Sequence, residues 1–173
     1  PPPLTWLAGP WHVTHSTLSM WKSKRNVRIT YTPLASDSTG GPVRVDDLVE
    51  YQTSGSDKVK SVHGVDTAEA GTNEGWAWNW RGKGWLVIAT SRWETLGYGT
   101  EAVEEGSEPQ NTGTDWVVTF FSKTLFTPAG VDIYSRKKEG LRAETVEKIK
   151  EALKGSEDDG VAKLAETLFE IEQ

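Results

Sequence analysis

The chain has no cysteine and one methionine among its 173 residues. Without thiols there can be no disulfide framework, no thiolate metal site and no cysteine nucleophile. A small secreted protein more often carries a disulfide, so an intracellular, cytoplasmic location is the expectation. Positive charge is also short: 19 Lys and Arg stand against 25 Asp and Glu, a net charge of −6. The one short basic cluster, Lys22, Lys24 and Arg25, is too small to attract nucleic acid or anionic lipid to an acidic surface. No apolar run approaches the roughly 18 residues a membrane helix needs. Pro1, Pro2 and Pro3 form neither a charged nor an apolar leader. The absence of an initiator Met is expected of a processed or trimmed start, which could have removed a targeting segment.

What the chain does have is aromatic mass, 9 Trp, 4 Tyr and 4 Phe, with 17 Gly and 36% hydrophobic residues. That composition suits one globular domain, residues 1–173, around one core. From Trp11 to Arg136 short β-branched or aromatic runs alternate with Gly, Pro, Ser and Asp clusters, the pattern of an antiparallel β domain. The runs fall at about 11–18, 26–32, 43–52, 58–66, 75–80, 85–93, 115–124 and 131–135. The glycines of Arg81–Gly84 predict a tight hairpin between the fifth and sixth runs. The acidic stretch 97–113 reads as a long loop, in which Glu104 and Glu105 form a solvated face. Leu141, Val146, Ile149, Ala152 and Leu153 then recur at helical spacing up to Gly155, and a second helix is predicted over about 158–170. Eight strands followed by helices suit a closed up-and-down barrel, with a sandwich as the competing architecture.

Three short segments resemble the lipocalin family, within the calycin superfamily. Gly9-Pro10-Trp11 opens the first run as that family's Gly-x-Trp signature does. Thr114-Asp115-Trp116 begins the seventh where the family carries Thr-Asp-Tyr, and Arg136 follows the eighth. The resemblance implies a mainly β, eight-stranded antiparallel barrel over about 9–136 with a C-terminal helical segment over about 139–171. It also implies Trp11 at the closed end with the Arg136 guanidinium laid against its indole. These six residues, Gly9, Trp11, Thr114, Asp115, Trp116 and Arg136, read as structural.

If Trp11 faces inward, period-two alternation sends Val13, His15 and Thr17 to the lumen and His12 outward. His12 and His15 then lie on opposite faces and cannot share a metal, so no metal site and no cofactor are expected. Trp76, Trp78 and Trp80 project from one face of one strand, either as core packing or as an aromatic box for a flat ligand. Together with Tyr31, Tyr51, Trp93, Phe120 and His15 they make the candidate ligand site. Arg92, Asp47 and Glu50 are further polar residues that alternation could bring to the lumen. Two functions fit: binding of a small hydrophobic, aromatic or polycyclic molecule, or a metal-independent isomerase, cyclase or decarboxylase of secondary metabolism using the same cup. In the second case His15 and Tyr31 are the expected catalytic groups. A filled barrel acting as an interaction module is the third reading, and the oligomeric state is left open by the sequence.

Overall fold

The computed structural model describes residues 2–35, 40–70, 77–102 and 113–173. A short helix α1 (Leu4–Leu7) leads into β1 (Gly9–Ser16). Then follow β2 (Lys24–Pro33), β3 (Arg44–Thr53), β4 (Val59–Ala68), β5 (Ala77–Gly82), β6 (Thr90–Glu101), β7 (Thr114–Phe121) and β8 (Gly130–Ser135). Each strand pairs antiparallel with the next, and β1 pairs with both β8 and β2, which closes the sheet into a barrel. After β8 come α2 (Ala143–Lys154), α3 (Asp159–Ala165) and a two-residue strand β9 (Phe169–Glu170). Among the described residues no helix is long and apolar enough to cross a membrane.

Alternation divides the apolar residues between two layers. One layer fills the barrel: Trp11, Val13, Val27, Ile29, Tyr31, Val45, Trp78, Trp93, Val117 and Tyr134 pack together from all sides of the lumen. The other lies outside it, where Val118, Val131 and Ile133 receive Val146, Ile149 and Leu153 of α2 and Val161 and Ala165 of α3. Helix α2 thus buries the stripe that its sequence spacing defines, and it ends where the Gly155 N–H bonds back to Glu151 and Leu153. Asp158 caps α3 by accepting from the Gly160 and Val161 N–H groups, two donors that a helix start leaves unpaired.

At one end the barrel is closed. The Trp11 indole donates to the Leu7 carbonyl at 2.7 Å, and the Arg136 guanidinium lies 3.6 Å from the Trp11 ring. Arg136 also donates to the carbonyls of Pro10, Trp6 and Ala8, so it ties α1 and the start of β1 to the end of β8. Gly9 sits at φ +94° with Arg136 behind its Cα, a backbone that side chains rarely adopt. The opposite end carries the β1–β2, β3–β4, β5–β6 and β7–β8 connections. There a short 3₁₀ turn, Ser19–Ser23, tucks Trp21 over the barrel interior and edge-on to Tyr51.

Several sequence boundaries shift. Only residues 159–165 of the predicted second helix are helical; the chain then extends so that Ile171 reaches the barrel core, which a helix to residue 170 would prevent. The tight hairpin at Arg81–Gly84 is a longer connection, because β6 starts only at Thr90. Residues 84–86 make a 3₁₀ turn that packs against Gly82 and leaves Trp85 exposed. Strand β6 in turn continues to Glu101, into the stretch read as loop, and α1 had no signal in the periodicity.

The seam between β1 and β2 is built in two parts. Gly9 to His12 pair directly with Arg28 to Tyr31. Beyond them the strands part, and residues 169–173 enter the gap. Phe169 and Glu170 pair with Ser16 and His15, while the Glu172 carbonyl accepts from the Asn26 N–H. Ile171 is buried in the barrel core, and the Gln173 amide donates to the Val13 carbonyl.

Candidate functional site

The barrel interior combines an aromatic stack with buried acids. Tyr31 stacks on Trp93 with ring centroids 5.7 Å apart, and Trp93 stacks on Trp78 at 5.8 Å. Trp80 lies on the same face, its indole laid over Gly64, the cross-strand neighbour of Gly82 and Asp47. A Cβ at Gly64 would run into that ring, so the glycine makes room for it. These rings come from alternate residues of β2, β5 and β6, and period two keeps them all inward.

Among them sit three buried carboxyls, Asp47, Asp66 and Asp132. Asp66 accepts from the Trp93 indole at 2.7 Å. Asp47 and Asp66 bond to each other, a contact that requires one shared proton, and burial together with their mutual repulsion raises Asp47 well above the usual carboxylate range. Burial likewise raises Asp66, against the hydrogen bonds from Trp93 and Asp47. Asp132, on β8, is raised by burial to about 7 although Ser16 donates to it. No cation is among the influences on any of the three.

Two tyrosines lie near these acids. The Tyr31 hydroxyl bonds to Tyr134, and the Thr119 hydroxyl donates to Tyr134 at 3.0 Å. Burial holds both phenols well above their usual range, with Asp132 next in effect on Tyr134. Among the described residues, Asp132 Oδ1 and Trp78 Nε1 are interior polar atoms with no partner, while Asp47 Oδ1 and Asp66 Oδ2 accept from no group outside the acid pair and are left to the proton those two carboxyls share. A buried polar group without a hydrogen bond costs on the order of 1–3 kcal/mol, so Asp132 and Trp78 are open to a further partner.

The sequence-predicted residues are distributed unevenly over this interior. Tyr31, Trp78, Trp80 and Trp93 lie in it, Tyr51 sits half-buried near its mouth, and Trp76 lies outside the described residues, as do Glu104 and Glu105. His15 does not reach it. A bulge between Val13 and His15 shifts the phase of β1 by one, so that Ser16 rather than His15 turns inward opposite Asp132. His15 pairs with outward Ile133 and lies beside Glu170, Lys150 and Glu147, so it does not face the lumen as strict alternation predicts. Burial lowers its pKa. His12 and His15 therefore share the outer face of β1. Phe120 is also outward, packed on the helical layer, because β7 directs Val117, Thr119 and Phe121 to the lumen. Glu50 and Arg92 are outward as well, paired with Arg28 and with Glu69 and Glu94. Among the described residues, no group of three His, Cys, Asp or Glu is arranged to hold a metal ion.

The acids Asp66 and Asp132 went unread in the sequence. Asp132 stands alone in Val131-Asp-Ile133-Tyr134, where every residue of the strand is buried; an acid in such a run was the available signal.

This closed eight-stranded barrel with C-terminal helices has a lipocalin-like fold. Apocrustacyanin C1 superposes with a TM-score of 0.52 at 14% identity, over 96% of this chain and 77% of that one. A siderocalin, Ex-FABP, described as functioning through dual ligand specificities, superposes with a TM-score of 0.53 at 11% identity, over 96% and 94%. No family model matches the chain. In sequence the chain is 28% identical over 174 residues to Botcinic acid biosynthesis cluster B protein 12 of Botryotinia fuckeliana (strain B05.10), covering 97% of this chain and 73% of that protein.

Proposed function

We propose that the barrel binds one small, flat, mainly apolar molecule that carries at least one hydrogen-bonding group. The observation that carries this reading is the joint presence of the Tyr31–Trp93–Trp78 stack and the unpartnered Asp132 Oδ1 and Trp78 Nε1 in one buried interior. Stacked rings select flat partners, and the unpartnered Asp132 oxygen and Trp78 indole N–H select a ligand that can pair with them. A long fatty chain would leave those groups unpaired. The sequence relative named for a biosynthesis cluster supports a secondary metabolite as the ligand.

Native mass spectrometry of the protein incubated with a metabolite extract tests the reading. The expected result is a one-to-one adduct that Trp93→Leu weakens at least tenfold while the barrel stays folded. Absence of any small-molecule adduct on the wild-type protein would refute it.

A further inference from the structure

We propose that Asp132 and Tyr134 form an acid–base catalytic pair that moves a proton on a flat, enolisable carbonyl compound, without a cofactor. The inference rests on the binding reading above and adds a chemistry to it.

The geometry begins with how each group is held. The Ser16 hydroxyl oxygen accepts from the Leu18 N–H at 2.9 Å, which directs its own hydrogen toward Asp132. Asp132 Oδ1 is buried and unpartnered. Two residues on along the same face of β8, the Tyr134 hydroxyl accepts from both Thr119 and Tyr31. With both lone pairs occupied, its own hydrogen is left to donate. Thr119 stands directly across from Asp132 in the β7–β8 register, so the hydroxyl that bonds Tyr134 is the cross-strand neighbour of Asp132. A carboxyl poised near neutrality can take a proton and return it, and a hydroxyl aimed at an oxygen can stabilise the charge that develops there.

The interior offers no serine elbow, thiol or amine nucleophile among the described residues; its polar groups are carboxyls, hydroxyls and indole N–H groups. Such an inventory suits proton transfer at a carbon next to a carbonyl. Asp132 as carboxylate takes the α-proton, and the C–H electron pair becomes the C=C bond of an enolate whose oxygen Tyr134 hydrogen-bonds. The protonated Asp132 then returns a proton to the same carbon, or to a conjugated one, and the C=O bond re-forms. The first outcome is exchange and the second isomerisation; no electrons are gained or lost. The Tyr31–Trp93–Trp78 stack would hold a flat substrate beside the pair, and the Asp47–Asp66 pair supplies a second proton store.

The test uses 2-tetralone, a flat aromatic ketone with exchangeable α-protons, in D₂O. Ligand-observed NMR reads binding, and loss of the α-proton signals reads exchange above the buffer rate. Wild type should bind and accelerate exchange. Asp132→Asn, which keeps the shape of the side chain, should lose about 10²-fold or more of that acceleration with binding retained, the usual worth of a positioned base. Tyr134→Phe should lose about tenfold or more, while His15→Ala, on the outer wall, should match wild type. Thermal melts confirm that each variant is folded. Binding without accelerated exchange overturns the catalytic pair and leaves the binding reading standing. Exchange that survives in Asp132→Asn overturns the residue assignment. Absence of both binding and exchange overturns both readings for this class of compound.

Discussion

Asp132 makes the stability of the molecule depend on pH in an unusual direction. In the folded chain it keeps its proton up to about pH 7, whereas an unfolded Asp releases its proton near 3.9. Between those values the folded state holds the extra proton, so the contribution is complete below about pH 4 and is lost as pH rises through 7. A shift of about three units corresponds to roughly 4 kcal/mol at most. Denaturant titrations at pH 5 and pH 8 should therefore show the higher stability at pH 5, and Asp132→Asn should flatten much of that difference. At the closed end, Trp11→Ala removes a fully buried indole together with its bond to Leu7 and its contact with Arg136, and should cost about 3–5 kcal/mol. A loss below 1 kcal/mol in the same titration would contradict that account. Gly64→Ala tests the interior from the other side. The new methyl meets the Trp80 ring, so both stability, by about 1–3 kcal/mol, and ligand binding should fall.

Among the elements, the strands were legible because one side of each reads as an alternating apolar set and turn residues separate them. The Gly9, Trp11 and Arg136 resemblance located the closed end for the same reason: those contacts are local to strand ends whose order the sequence preserves. The interior was legible only as far as strict alternation holds. Asp47 and the Trp78, Trp80 and Trp93 faces follow it, but the bulge in β1 reverses the phase after Val13, and nothing in His12-Val13-Thr14-His15 announces an extra residue. Strand β9 escaped notice for a different reason. Its two residues have no periodicity of their own and take their conformation from the open edges of β1 and β2. Ile171 is the anchor of that insertion, and Ile171→Ala should cost about 2–5 kcal/mol. Hydrogen exchange should speed up selectively at Asn26 and Ile171, whose N–H groups the inserted segment pairs.

On the scale of the whole molecule, the end of the barrel opposite Arg136 is the apolar end. Trp85 (86% exposed), Ile88 (74%), Leu125 (89%) and Phe126 (67%) all project from connections at that end, and Ile88, Leu125 and Phe126 line one groove of about 410 Å³. Single exposed apolar residues are ordinary on a protein surface, but a group around one mouth is not. Replacing Ile88 and Phe126 together by Lys should shorten retention on a hydrophobic-interaction column while changing stability by no more than about 0.5 kcal/mol each, since neither is buried. The two-part seam governs the order of events in folding. Gln173 reaches back 160 positions to Val13, so every other stave can be hydrogen-bonded while the wall between β1 and β2 is still split over half its height. Sealing is then a step of very long sequence separation, the kind that loop entropy makes slow, and it comes after the neighbouring hairpins have formed. Until it happens the nascent barrel carries two unpaired strand edges beside its own core.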